Sequence, residues 1–181
     1  EVTWSLEQEL PAPAQRYFSY VFKGPMKKVS YVELSMHGDF RRPLHEKFAP
    51  TTAKQTLVPA LPAMVFEAET PIVPGVWAVA YDAFLEGRME MKAKIFSAFT
   101  VLDEPGTEEL NRISLRRWLL EAPLYPHALL PSEYVRWEAI NDNEARIIAT
   151  YQGLITSLIA SVDAEGRLTH LRAEEDGDLT T

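Results

Sequence analysis

The chain has 181 residues, 46% of them apolar and 24% charged, which fits one ordinary globular domain able to bury roughly 68–70% of its extended surface. Acidic residues outnumber basic ones 26 to 18, a formal charge of −8, and no basic run is longer than Lys27–Lys28 or Arg41–Arg42, so nucleic-acid binding is not expected. The absence of cysteine excludes a disulfide framework, a thiolate nucleophile and a cysteine-based metal site.

Residues 1–23 read as an N-terminal helical segment interrupted by Pro11 and Pro13, with Tyr17, Phe18, Val21 and Phe22 at helical spacing. The period then changes to two. Val32, Leu34, Met36, Gly38 and Phe40 share one face of a strand, and His37, Asp39 and Arg41 share the other. After an irregular stretch come candidate strands at 53–58, 65–67 and 77–84, the last two separated by the turn-rich TPIVPG. Residues 88–101 form the longest strand-like run, and its pairing with 77–84 around LEGR predicts a hairpin.

DEPG at 103–106 is a turn signal, after which Thr107 or Asn111 is placed to cap a helix that Pro123 ends. The segment 112–137 is the most informative: a charged helix running into a prolyl loop that carries Tyr125 and His127, with Leu124 and residues 128–130 as an apolar patch. Extended runs follow at 134–140, 145–151, 154–162 and 167–173, with turns at NDNE, Gly153 and 163–166. The acidic tail 174–181 is expected to fray. The pattern predicts a single α+β domain over 1–181: a strongly curved, mainly antiparallel sheet, a half-barrel or incomplete barrel, around one or two helices. An ordinary α+β sandwich satisfies the same pattern.

Residues 1–20 lack the basic-then-apolar order of a signal peptide, and no run reaches the about 18 apolar residues of a transmembrane helix. Cytoplasm is therefore the default compartment, although a chain beginning at Glu1 would hide a removed leader. The four histidines, His37, His45, His127 and His170, form no metal-ligand spacing, and no nucleotide loop or nucleophile elbow is present, so neither metal nor cofactor is expected.

What remains is a cavity with acid–base groups. Glu121 lies four residues after Arg117 and so shares its helical face, as a structural bridge or as an acid or base. His127 has the ordinary pKa suited to proton transfer, and Tyr125 could donate to a substrate oxygen. The candidate catalytic residues are Glu121, His127 and Tyr125. The candidate ligand-binding residues are His37, Arg41, Asp82, Met91, Arg117, Trp118 and Trp137, with His37, Arg41 and Asp82 on the sheet wall opposite the 112–137 segment.

LPAPAQRYF, HGDFRR, YDAFLEGRMEM, RRWLLEAPLYPHALLP with VRWEAINDNEA, and VDAEGRL occur in an order that resembles a bacterial family of uncharacterised proteins, the domain of unknown function 6544. The matching positions are Arg16, Tyr17, Gly38, Arg41, Gln55, Asp82, Gly87, Glu121, Pro126, Trp137 and Arg172. The resemblance implies a curved antiparallel sheet with helices and no established activity. It also implies further strands after Arg172, whose absence would leave an open sheet edge suited to a homodimer.

The leading expectation is binding of a small apolar or aromatic molecule between the sheet and the central helix. A cofactor-free cyclase or isomerase using the same cavity, and a structural protein-interaction module, are the alternatives.

Overall fold

The computed structural model describes residues 10–24, 26–41, 47–95 and 99–174. Helix α1 (Ala12–Val21) carries Pro13 in its first turn, where a missing backbone donor costs nothing. Six antiparallel strands follow in order: β1 (Val32–Phe40), β2 (Ala49–Val58), β3 (Ala63–Val73), β4 (Val76–Leu85), β5 (Arg88–Ile95) and β6 (Phe99–Pro105). Helix α2 (Glu108–Glu121) leads through two 3₁₀ turns (Ala122–Leu124 and Pro126–Leu129) into β7 (Val135–Ala139), β8 (Glu144–Tyr151), β9 (Leu154–Val162) and β10 (Leu168–Arg172). The strands form two meanders, β1-β2-β3-β4-β5-β6 and β10-β9-β8-β7, neither closed into a barrel. The fold is thus α+β and mainly antiparallel, as the sequence pattern predicts.

Several boundaries differ from that pattern for identifiable reasons. The sequence of 88–101 alternates almost without interruption, yet β5 closes at Ile95 and β6 opens at Phe99, and the register between them shifts at Ala93/Lys94. Pro71 lies inside β3 rather than in a loop, and the ladder accommodates it by a register shift between Pro71 and Val73. Asp103 to Pro105 close β6 instead of forming a turn, so α2 starts at Glu108, with Thr107 Oγ1 accepting from the Leu110 N–H at 3.2 Å. Asn111 acts differently, because its Oδ1 accepts from the Met89 N–H at 2.7 Å and so ties α2 to β5.

Two tight turns bring the sheets together. Leu85 pairs with Arg88 and Tyr151 with Leu154, which leaves Glu86–Gly87 and Gln152–Gly153 as two-residue loops, all four residues at positive φ (52°, 76°, 50° and 82°). Positive φ at both central positions is the signature of type I′ hairpins, whose twist matches that of the flanking strands. The turns touch each other, since a Cβ at Gly87 would lie 2.6 Å from Cβ of Gln152. Phe84 and Tyr151, just inside the turns, meet edge to face with ring centroids 6.3 Å apart.

The core lies between α2 and both sheets. Leu57, Met64, Phe84 and Met89 form one registered row across β2 to β5, and all are buried with Leu115, Trp118 and Leu119 of α2 and Ile147 and Leu158 of the second sheet. Helix α1 joins from the side: Ala14 and Tyr17 are buried, and Arg16 donates to the carbonyls of Asp142 (2.8 Å) and Asp163 (3.2 Å), clamping two turns of the second sheet.

Gly87→Ala should destabilise the protein by at least about 1–2 kcal/mol, the cost of the left-handed conformation for a residue with a Cβ. Gly75→Ala shares the positive φ (81°) but has nothing within 4 Å, so it should cost less. Urea denaturation of both variants measures the contact between the turns as the difference; equal losses would show that the contact contributes nothing.

Candidate functional site

Cross-strand register decides which side chains of the first sheet share the face toward α2. Beyond the buried row, the next is Leu34–Gln55–Phe66–Asp82–Met91. The row after it is Met36–Ala53–Ala68–Ala80–Ala93. Four consecutive strands therefore present alanine at the same level.

Helix α2 meets the middle of these rows with Arg117 and Glu121, one turn apart. Arg117 Nε donates to Glu121 Oε1 at 2.9 Å, and Nη1 donates to Asp82 Oδ2 at 3.3 Å. The guanidinium lies 4.8 Å from the centre of the Phe66 ring. Gln55, only 3% exposed, donates from Nε2 to Glu121 Oε2 at 2.5 Å and contacts Met64 Sδ at 3.7 Å. The charged side chains are neither surface nor core: Arg117, Glu121 and Asp82 are 31%, 27% and 21% exposed.

Tyr125 and Trp118 lie beneath this cluster. The Trp118 indole N–H donates to the Val58 carbonyl at 3.2 Å. The Ala122 N–H turns to the Leu119 carbonyl as the helix tightens into its 3₁₀ end, and the Tyr125 hydroxyl donates to the Trp118 carbonyl. Burial drives the Tyr125 phenol well above its ordinary pKa, and the Glu121 charge adds to this against an opposing contribution from Arg117. Its proton is thus held by α2 near neutral pH. Tyr17 is likewise pushed up to about 12 by burial.

The remaining candidates lie elsewhere. His127 faces α1, edge-on to Phe22 at 5.0 Å, and burial lowers its pKa against a smaller opposing effect of hydrogen bonding to the Lys27 backbone. The Trp137 indole N–H donates to the Leu129 carbonyl at 2.7 Å, and its ring packs against Phe18 (5.6 Å) and Tyr17 (6.4 Å). The expectation that His37 and Arg41 share a wall with Asp82 is corrected by the register: His37 pairs with Thr52 and so faces the opposite side from Met36, Ala53 and Asp82. Arg41 stacks over the Phe48 ring at 4.6 Å. Leu124, expected in the apolar patch, is 65% exposed, whereas Ala128 and Leu129 are buried. His45 lies outside the described residues.

Asp82, Met91, Arg117 and Glu121 are therefore brought together over Trp118 and Tyr125, while His127 and Trp137 sit at α1, His37 on the reverse face and Arg41 just past the end of β1. Sequence reasoning named Gln55 only through the family resemblance, and it missed Phe66 and the alanine row. Phe66 and the alanines are separated along the chain and become a unit only when four strands are in register. No cluster of three or more metal-ligating side chains occurs among the described residues.

The fold and this face define a protein with two open antiparallel sheets and a helix that covers only part of the larger one. No helix among the described residues is long and apolar enough to cross a membrane. The chain belongs to the family of unknown function DUF6920, which it matches over residues 8–181. That match overturns the resemblance to the domain of unknown function 6544. No curated protein and no solved structure matches the chain.

Glu121→Ala leaves the buried Gln55 amide without its carboxylate, and Arg117→Ala leaves Glu121 and Asp82 facing each other without the guanidinium between them. Each should cost roughly 1–3 kcal/mol in urea denaturation, between the values for exposed and fully buried pairs. The double variant should lose less than the sum of the two. Strict additivity would mean that the bridge does not couple these residues.

His127 contributes stability of a defined sign. Its folded pKa lies below the ordinary 6.5, so the unfolded chain binds the proton more readily. The contribution is complete above 6.5 and drains away as pH falls toward the lower folded value. The stability difference between wild type and His127→Phe should therefore shift against wild type as pH is lowered from about 7.5 to about 5.5. A difference that is constant, or that moves the other way, would refute the burial effect.

Proposed function

We propose that this protein binds a small apolar or aromatic molecule on the inner face of its first sheet, along the alanine row beyond the reach of α2. The observation that carries this reading is the registered alignment of Ala53, Ala68, Ala80 and Ala93, with Met36 at one end of the row. Methyl side chains on four adjacent strands leave depth above the sheet where larger residues would fill it. The neighbouring row bounds that space with Phe66 and Met91 and with the Arg117–Glu121–Asp82 cluster. Apolar surface buried in such a trough contributes about 25 cal/mol per Å² toward binding before the costs of association are subtracted.

The same face bears on the cyclase or isomerase alternative. Glu121 and Asp82 are the acid–base groups nearest the trough, but both carboxylates hold Arg117, and Glu121 also accepts from Gln55. A general base must aim a lone pair at the proton it takes, and each oxygen of Glu121 already accepts a bond from the protein. The Tyr125 hydroxyl already donates to the Trp118 carbonyl. The arrangement favours a bounded receptacle over a proton-transfer site, with the polar cluster fixing one end of the ligand.

Titration with N-phenyl-1-naphthylamine, an uncharged aromatic probe that brightens on leaving water, tests this directly. Ala80→Trp fills the middle of the trough and should weaken binding about tenfold or more, equivalent to about 1.4 kcal/mol. Val79→Trp, on the opposite face of the same strand, should bind as wild type does. Absence of saturable binding, or equal binding by both variants, would sink the proposal.

A further inference from the structure

The hairpin of β3 and β4 runs past the pairing of its neighbours. The last pair of β3 with β2 is Thr52–Glu69 and the last of β4 with β5 is Ala78–Ile95, whereas β3 and β4 continue together through Pro71–Trp77 to Val73–Val76. Among the described residues the tip, 71–77, therefore pairs only with itself. Its chemistry is not that of an ordinary polar turn: residues 70–81 carry no charge, Ile72 and Val73 are 53% and 54% exposed, and Trp77 is half-buried at the base of the turn. The neighbouring hairpin adds to this end of the sheet, because β1 finishes at Phe40 opposite Ala49, and Phe40 and Phe48 are 53% and 61% exposed. Arg41, stacked on the Phe48 ring, and Lys47 are exposed beside them. Single exposed apolar side chains are normal on a protein surface, but a group of them at one end of a sheet marks a contact surface.

Pro71 and Pro74 carry no backbone N–H, so the tip is a poor template for the strand of a protein partner or of a second copy. A bilayer sets no such requirement. It receives an apolar turn into its boundary, an aromatic ring at the level of the headgroups, and cations where the phosphates lie. The alanine row leads to the same end: next along the strands come Gly38–Thr51 and Thr70–Ala78, the two threonines meeting through their hydroxyls at 2.8 Å, and then Phe40 and the hairpin turn. An apolar ligand leaves water for a bilayer, so a trough that takes one gains from opening there. We propose that the β3–β4 turn, with Phe40 and Phe48 beside it, seats the protein on a lipid bilayer, with the open end of the trough toward the membrane. The choice of a membrane rests in part on the binding reading above. The net charge of −8 selects a zwitterionic surface, because a strongly anionic one would repel the chain as a whole.

Flotation of the whole chain with phosphatidylcholine vesicles tests the proposal. Wild type should bind saturably, and Ile72→Ser combined with Val73→Ser should weaken that binding about tenfold or more. Ile155→Ser, which removes an apolar side chain 61% exposed on the other sheet, should bind as wild type does. Titration with N-phenyl-1-naphthylamine in the absence of vesicles reads the trough alone, and the tip variant should retain it. Vesicle binding that the tip variant loses therefore supports the membrane contact whether or not the probe is taken up. Failure of wild type to float, flotation indifferent to the tip substitutions, or self-association that the tip variant abolishes in place of flotation would overturn it.

Discussion

Helix α2 must satisfy two sheets that share no strand, and three consecutive side chains show how it does so. Arg116 hydrogen-bonds to Thr156 on β9, Arg117 pairs with Asp82 on β4, and the Trp118 indole donates to the Val58 carbonyl at the end of β2. Successive helical positions point about 100° apart, so a run of three polar tips can reach in three directions only if the helix is nearly surrounded at that level. Leu115 and Leu119 fill the space between these tips and are fully buried. The low hydrophobic contrast of α2 in sequence follows from this: a helix sandwiched between layers cannot show one greasy stripe.

The reach of α2 is short compared with the sheet it covers. Along the first sheet the rows pass from buried Leu57–Met64–Phe84–Met89, through the polar row with Gln55 and Asp82, to the alanines, in the direction leading away from the helix. Charged groups belong at such a boundary. Arg117, Glu121 and Asp82 each keep a fifth to a third of their surface in water, which lessens the desolvation that would make the same cluster a liability in the centre of the core. Gln55 is the exception, buried and hydrogen-bonded, and it links the wet side of the cluster to the dry one.

Much of the fold was legible because the strand period and the turn chemistry are local. The LEGR hairpin, the Thr107 cap and the last two hairpins follow from residues within a few positions of each other. The pairing of Arg117 with Glu121 follows from helical spacing alone. Legibility failed where the deciding quantity was register between distant strands. His37, Arg41 and Asp82 read as one polar wall because alternation within a strand says which residues share its face, but not which face of the next strand is aligned with it. His127 and Trp137 sit close in sequence to Glu121, yet two 3₁₀ turns carry them around to α1. The uninterrupted alternation of 88–101 concealed a break because neither glycine nor proline marks it.

The alanine row carries this lesson to the functional surface. An alanine in a strand is ordinarily a weak strand residue that happens to fit, and each of the four is ordinary in its own segment. In register they become a feature of the face rather than of any strand. Large side chains at those positions would have extended the core along that face. Helix α2 crosses the strands from Met89 on β5 to Gln55 on β2, alongside the alanine row, and ends at Glu121, whose carboxylate is held at the polar row by Gln55 and Arg117. Four alanines in register are thus a property of the sheet face that no single strand displays, and it is on that property that the proposed binding of a small apolar molecule rests.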